Sequence, residues 1–289
     1  MEIIKIVIKI SKKSGKWSKN MQKFIKFKVV LFLFITCFIG QVWFCMGFCA
    51  PLSGTVEEKD YLVNKGKTGT VVDTSTGRPV SNAQVSIPSK GIYTNSDFNG
   101  RFNLNASLDG PAILSVKADG YKPFSLTVSN NQLSKSLTLG ITKSSGKEIV
   151  IDTNLHHLGD DNFSDESANA GNFRLKSNGP AFSTEFVAGN ATQGYILKVG
   201  SIIGIDTALA GRLGQSHTTS HSSPTKVYIN SKKVGEFRIN GDNQQIVLSS
   251  GYIIPNGKNR IVVETGRNLF ARNIDFDDME FMNLSLELR

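Results

Sequence analysis

The sequence predicts an all-β protein of two β-sandwiches behind an N-terminal hydrophobic export segment, and three observations carry that expectation. Beyond residue 50, turn residues recur every eight to twelve positions between short runs of β-branched or alternating apolar residues. No apolar period near 3.6 persists over the same stretch, which leaves no helix of useful length. A polar segment, Thr142-Lys143-Ser144-Ser145-Gly146-Lys147, divides the strand-rich body into two parts, 66–142 and 148–289, with 143–147 as the linker.

From Val29 to Ala50 the chain is apolar for about twenty residues, interrupted by Thr36 and Gln41 and preceded by Lys23, Lys26 and Lys28. A basic flank that stays on the cytoplasmic side of a bilayer-partitioning run is the pattern of an export signal. Two fates stay open. Cleavage would fall near Cys49 or Ala50, although Pro51 disfavours a cut just before it. Retention would leave a membrane anchor, since the run is long enough to cross about 30 Å of hydrocarbon. Phe48 stands where a lipoprotein signal needs a small residue ahead of Cys49, which speaks against lipidation, and Met21 opens a more ordinary signal than Met1 does. Residues 1–50 are thus read as signal peptide or anchor and 51–65 as a polar connection. The body is expected to be secreted, periplasmic or at the cell surface, with membrane contact only through the leader.

The formal net charge of +9, from 33 Lys and Arg against 24 Asp and Glu, belongs to that leader. Nine lysines and a single acid, Glu2, precede residue 51, so 33 − 9 = 24 basic and 24 − 1 = 23 acidic residues remain for the body. A nearly neutral body lacks the surplus of cations that phosphate recognition needs, and no nucleic-acid partner is expected. All three cysteines (Cys37, Cys45, Cys49) are also in the leader, so the body holds no disulfide, thiol nucleophile or Cys-ligated metal.

In the first part, strands are expected at Thr68–Val72, Ala83–Ile87, Arg101–Leu104, Ala112–Val116, Ser125–Val128 and Ser136–Leu139. Gly77 and Pro79 mark the first turn, Asp97 and Gly100 the second, and Asp119-Gly120 a later one. Val80, Ala83 and Val85 alternate towards one face, and Phe102 and Tyr121 are large enough to fill a small core. The run Gly69-Thr70-Val71-Val72-Asp73-Thr74-Ser75-Thr76-Gly77-Arg78-Pro79-Val80, followed by Asp97-Phe98-Asn99-Gly100-Arg101-Phe102 and Ala118-Asp119-Gly120-Tyr121, resembles the carboxypeptidase regulatory-like domain. The resemblance covers about residues 66–142. It implies a seven-stranded transthyretin-like sandwich, usually a non-catalytic module of exported proteins.

In the second part, strands are expected at Gly194–Val199, Lys226–Ile229, Gly235–Ile239, Gln244–Leu248, Arg260–Glu264 and Met282–Leu288. Val227-Tyr228-Ile229-Asn230 and Lys233-Val234-Gly235 read as a hairpin, and Pro255-Asn256-Gly257-Lys258-Asn259 as a tight turn into another strand. With the closing Phe281-Met282-Asn283-Leu284-Ser285-Leu286, this order resembles a galactose-binding-like jelly roll, the fold of many carbohydrate-binding modules. The last 65 residues or so carry the resemblance, and 148–220 follow by inference.

Three constellations could carry chemistry. Leu155-His156-His157-Leu158-Gly159-Asp160-Asp161-Asn162-Phe163 gathers imidazoles and carboxylates, able to hold a metal, to meet sugar hydroxyls in a loop, or only to make a solvated turn; on a strand His156 and His157 would face apart. His217 and His221 have a metal-pair spacing only on a helix, and their Ser/Thr-rich context points to a surface loop. Asp275, Asp277 and Asp278 precede the last strand. Their hard oxygens suit a structural calcium, which jelly-roll modules often hold near this point, and the alternative is a solvated acidic cluster.

There is no Gly-x-Ser-x-Gly elbow, phosphate loop, zinc signature or marked carboxylate pair, so the protein is expected to be non-catalytic. The functional expectation is a binding protein for an extracellular or cell-envelope carbohydrate, resting on fold analogy. Candidate ligand residues are Asp160, Asp161, Phe163, Arg267, Asn268 and Phe270, which offer aromatic faces and planar polar groups. The usual stacking residue is missing from the body, since Trp17 and Trp43 are both in the leader. The alternative is a structural or adhesive protein whose sandwiches are spacers or dock a cell-surface protein. A glycan hydrolase with carboxylates converging from distant strands is the third reading.

Overall fold

The computed structural model describes residues 67–168, 173–191, 193–216 and 221–289, which belong to one compact unit. The leader with its three cysteines, the connection at 51–65 and His217 lie outside the described residues. Among the described residues no helix is long and apolar enough to cross a membrane.

The protein is all-β. Seven strands make a first sandwich: β1 (Lys67–Asp73), β2 (Gln84–Ile87), β3 (Ile92–Asn95), β4 (Arg101–Leu104), β5 (Ala112–Lys117), β6 (Phe124–Val128) and β7 (Leu137–Ile141). Their sheets run β4-β1-β7 and β3-β2-β5-β6. β1 pairs antiparallel with β4 and parallel with β7, and one turn of helix, α1 (Asn130–Leu133), leads into β7. Val71, Val80, Ala83, Val85, Phe102 and Leu104 close the core between the two sheets, with Tyr121 packed against its edge.

The first turn is built by Asp73. Its Oδ1 accepts the N–H of Ser75 at 2.8 Å, the Ser75 hydroxyl at 2.5 Å and the N–H of Thr76 at 3.0 Å, while Gly77 takes φ +67. A short polar side chain that bonds its own following backbone mimics a turn, which is why Asp occupies this position.

Eight strands make the second sandwich: β8 (Glu148–Leu158), β9 (Ala181–Val187), β10 (Tyr195–Ile203), β11 (Thr225–Ile229), β12 (Lys232–Phe237), β13 (Gly241–Leu248), β14 (Lys258–Glu264) and β15 (Met279–Leu288). The sheets run β13-β10-β15-β8 and β12-β11-β14-β9, all antiparallel, with a short helix, α2 (Ala208–Arg212), after β10. The β11–β12 hairpin turns on Asn230 and Ser231, both at positive φ, the geometry a two-residue turn needs to match strand twist. Tyr195, Leu197, Val227, Ile229, Ile261, Phe281, Leu284 and Leu286 fill this core.

Three strands were not legible. β3 is a half-exposed edge strand, β9 turns only Phe182, Thr184 and Phe186 inward, and β8 mixes apolar and polar residues on both faces. His156 and His157 therefore belong to a strand rather than to a loop or turn. They face apart: His156 stacks on Phe182 and Phe281 in the core, with ring centroids 3.9 and 5.1 Å away, and His157 points to the other side.

The two sandwiches pack on each other. From Ala112 to Val116, β5 is buried at every residue, because Ala112, Leu114 and Val116 face their own core while Ile113 meets Ile203 and Met282 of the second sandwich. A strand covered on both faces loses the in–out alternation of a one-sided sheet. Gly200 on β10 makes the approach feasible, since a Cβ there would lie 2.3 Å from the Ser125 hydroxyl of β6.

Candidate functional site

One end of the second sandwich collects the acids of the loops after β8, β10 and β14. At its centre is Asp275, buried, whose Oδ1 accepts the Asn162 amide at 2.7 Å and the Ser167 hydroxyl at 2.8 Å. Its Oδ2 accepts the Asn268 amide at 2.8 Å and the N–H of Ala168 at 3.3 Å. Four donors on one carboxylate join the loop at 160–168 to the loop at 266–276. Asp160 reinforces the seam by accepting the N–H of Phe276 at 2.9 Å, and Asn268 donates to the Glu166 carbonyl at 3.1 Å.

The three acids taken together in the sequence diverge in space. Asp275 serves the seam just described, and its filled oxygens leave no lone pair for an ion. Asp278 turns under Gly159, whose φ of +146 and missing Cβ are required there, because a Cβ would lie 2.2 Å from Asp278 Oδ1. That oxygen accepts His157 Nε2–H at 3.0 Å and the N–H of Asp161 at 3.1 Å. The other ring nitrogen, Nδ1, donates to the Leu175 carbonyl. An acceptor faces each ring nitrogen, which favours the doubly protonated form of His157. Burial alone would lower its pKa, but the hydrogen bonds to Asp278 and Leu175 outweigh that and raise it. His157, Asp161 and Asp278 place ligand atoms within 4.8 Å of one another, yet a doubly donating imidazole has no lone pair for a metal. Glu280, buried beside this pair, is pushed up to about 7 by desolvation, against the attraction of His157.

Asp277 goes a third way. It is fully buried; its Oδ2 accepts the Ser222 hydroxyl at 2.6 Å and the N–H of Asp206 at 3.1 Å, and its Oδ1 has no hydrogen-bond partner among the described residues. Desolvation first, and then the charge of the equally buried Asp206, push Asp277 well above the usual carboxylate range. Two adjacent buried carboxylates with hard oxygen donors suit an oxygen-seeking cation such as calcium better than a transition metal. Asp206 was missed in the sequence because nothing in Gly204-Ile205-Asp206-Thr207 links it to a residue 71 positions later.

Of the other candidates, Asp160, Asp161 and Asn268 spend their polar groups inside the protein: Asp161 accepts the N–H of Ser177, and Asn268 accepts that of Phe270. Phe163, Arg267 and Phe270 face solvent. Phe270 is 72% exposed and Phe163 38%, and the Arg267 guanidinium lies over Phe276, 5.6 Å from the ring centroid. Leu269 and Ile274, on the same loop as Phe270, are exposed as well.

Among curated proteins none matches this sequence. Three solved structures are similar to parts of it. The carbohydrate-binding module CBM36, in complex with calcium and xylotriose, is 14% identical, covers 46% of this chain and 98% of its own, and superposes with a TM-score of 0.22. A protein of Bacteroides uniformis ATCC 8492 described as a candidate carbohydrate-binding protein is 10% identical over 77% of this chain and 97% of its own, at a TM-score of 0.21. A candidate membrane-associated protein of unknown function from Bacteroides fragilis NCTC 9343 is 14% identical over 77% and 96%, at 0.20. Likeness at this level says nothing of what this chain binds. The family match is more definite: residues 67–151 match the CarboxypepD_reg-like domain, to which the first sandwich of this chain corresponds.

Proposed function

We propose that this is an exported, non-catalytic binding protein whose second sandwich recognises an extracellular or cell-envelope carbohydrate at the rim formed by the loops at 160–168 and 266–276. The observation that carries the reading is the Asp275 seam, which holds the two loops together while Phe163, Phe270 and Arg267 stay exposed upon them. Aromatic faces held on a rigid frame suit the apolar face of a sugar ring, and a guanidinium suits its hydroxyls. Export is supported by the leader's basic flank and apolar run. Asp206 and Asp277 would hold a structural calcium beneath the rim, neutralising two buried like charges.

A glycan array probed with the full chain, in calcium and again in chelator, tests this. Binding to a defined sugar class that falls at least tenfold in Phe270→Ala is the expected result, with melting temperature higher in calcium than in chelator. Silence of the folded wild-type protein would remove the carbohydrate reading in favour of a docking or adhesive protein, which the exposed Leu269, Phe270 and Ile274 on one loop would suit.

A further inference from the structure

A second place in the molecule, lined by no residue of the rim loops, has the features of a ligand site. Between the two sandwiches lies a cavity of about 390 Å³, within the size range of small-molecule sites. Phe124 and Leu126 of β6 and Val150 of β8 give it apolar walls. The cations that line it are already paired, Lys122 with Glu148 and Lys198 with Glu287, and its two other carboxylates are held by the protein, Asp152 by the Asn154 N–H and His156 and Asp242 by Thr127 and Ser201.

Asn283 is the residue without an internal explanation. It sits on β15 where the pairing with β8 shifts register, holds φ +61, and lines the cavity while only 6% exposed. Among the described residues neither its Oδ1 nor its Nδ2 has a hydrogen-bond partner, while Asn230, Asn259 and Asn268 are all satisfied by protein groups. Buried amides are almost always paired, and a bulge is a common device for aiming one side chain at a ligand. A carboxamide presents a donor and an acceptor side by side, the complement of two adjacent hydroxyls, one donating to Oδ1 and its neighbour accepting from Nδ2.

We infer that the cleft between the sandwiches is a binding site for a neutral polyhydroxylated ligand the size of one or two sugar rings, with Asn283 holding a pair of vicinal hydroxyls and Phe124, Leu126 and Val150 receiving the ring. This site is independent of the rim and does not rest on the rim's reading.

The test is saturation-transfer NMR of the full chain with an equimolar mixture of methyl glucopyranoside, methyl galactopyranoside and methyl xylopyranoside. Saturation is expected to reach at least one glycoside in wild type and equally in Phe270→Ala. It is expected to fall at least fivefold in Asn283→Gly, which keeps the positive φ but removes the amide. Ser144→Trp, at an exposed position on the cavity wall, should block the cleft without touching either core and gives the same reading should Asn283→Gly fail to fold. Absence of transfer in wild type would overturn the inference, as would transfer that Phe270→Ala abolishes and both cleft variants leave intact.

Discussion

Asp242 of the second sandwich holds Thr127 of the first through a single oxygen: its Oδ1 accepts the Thr127 N–H at 2.9 Å and the Thr127 hydroxyl at 2.8 Å. The same oxygen takes the Ser201 hydroxyl at 2.7 Å, so β6, β10 and β13 are pinned at one point. Lys117, which donates to Thr153 at 2.9 Å, adds a second tie between the sandwiches. The expected consequence is one cooperative unfolding transition for residues 67–289. Asp242→Ala should cost about 1–3 kcal/mol, the worth of hydrogen bonds to a charged acceptor, and lower and broaden the calorimetric transition. Two well-separated transitions in wild type would show that the interface does not couple the sandwiches.

The turn after β1 should titrate. The Ser75 hydroxyl, against the opposing effect of burial, and then the N–H groups of Ser75 and Thr76 and the Tyr121 hydroxyl at 3.0 Å hold Asp73 well below the usual carboxylate range. A carboxyl whose folded pKa is depressed stabilises fully above its unfolded pKa, ordinarily 3.8, and that contribution is lost as pH falls through the folded value. Asp73→Asn should therefore melt below wild type at pH 7 and converge with it towards pH 2, with Tyr121→Phe showing a smaller gap. A gap independent of pH would mean that the carboxylate charge is not what matters.

Glu280 predicts the opposite sign. Its folded pKa of about 7 lies above its ordinary 4.5, so its neutral form is the one the fold favours, and stability declines as pH rises from 4.5 to about 7. His157, raised above its ordinary 6.5, adds a decline that begins near 6.5 and continues upward. Glu280→Gln should flatten the melting curve's pH dependence between 4.5 and 7 and leave a variant at least as stable as wild type at pH 8. An unchanged pH profile would place the titration elsewhere.

At the rim, Asp275→Asn keeps size but turns an amide nitrogen towards donors. A loss of about 1–3 kcal/mol is expected, from donors left without an acceptor. Hydrogen exchange should quicken at 162–168 and 267–276 and stay unchanged in the first sandwich. Uniform exchange across the rim and the first sandwich would show that Asp275 stabilises globally rather than joining two loops.

Much of this was legible in the residues. Gly77-Arg78-Pro79 and Asp97-Phe98-Asn99-Gly100 mark turns because few other residues tolerate those backbone angles, and Val85 and Ile87 alternate with Gln84 and Ser86 because a strand does, whereas Val80 and Ala83 reach the same core from the turn ahead of it. The rim was legible only as a list. Phe163, Arg267 and Phe270 could be proposed from residue type, while Asp160, Asp161, Asn268 and Asp275 look just as ligand-like in sequence and turn out to have their polar groups engaged by the protein itself.

What the sequence by itself determined is the local chemistry: strand against helix, the placing of turns, the neutrality of the body and the confinement of cysteine and net charge to the first fifty residues. These follow from near-neighbour rules and composition. Tertiary structure alone decided that Asp277 lies beside Asp206, that Asp278 is hydrogen-bonded to His157, and that Asn283 faces a cavity between two sandwiches. Each of those partners is tens of residues away along the chain, and a carboxylate's or an amide's role depends on the dielectric, charges and donors that the fold brings to it.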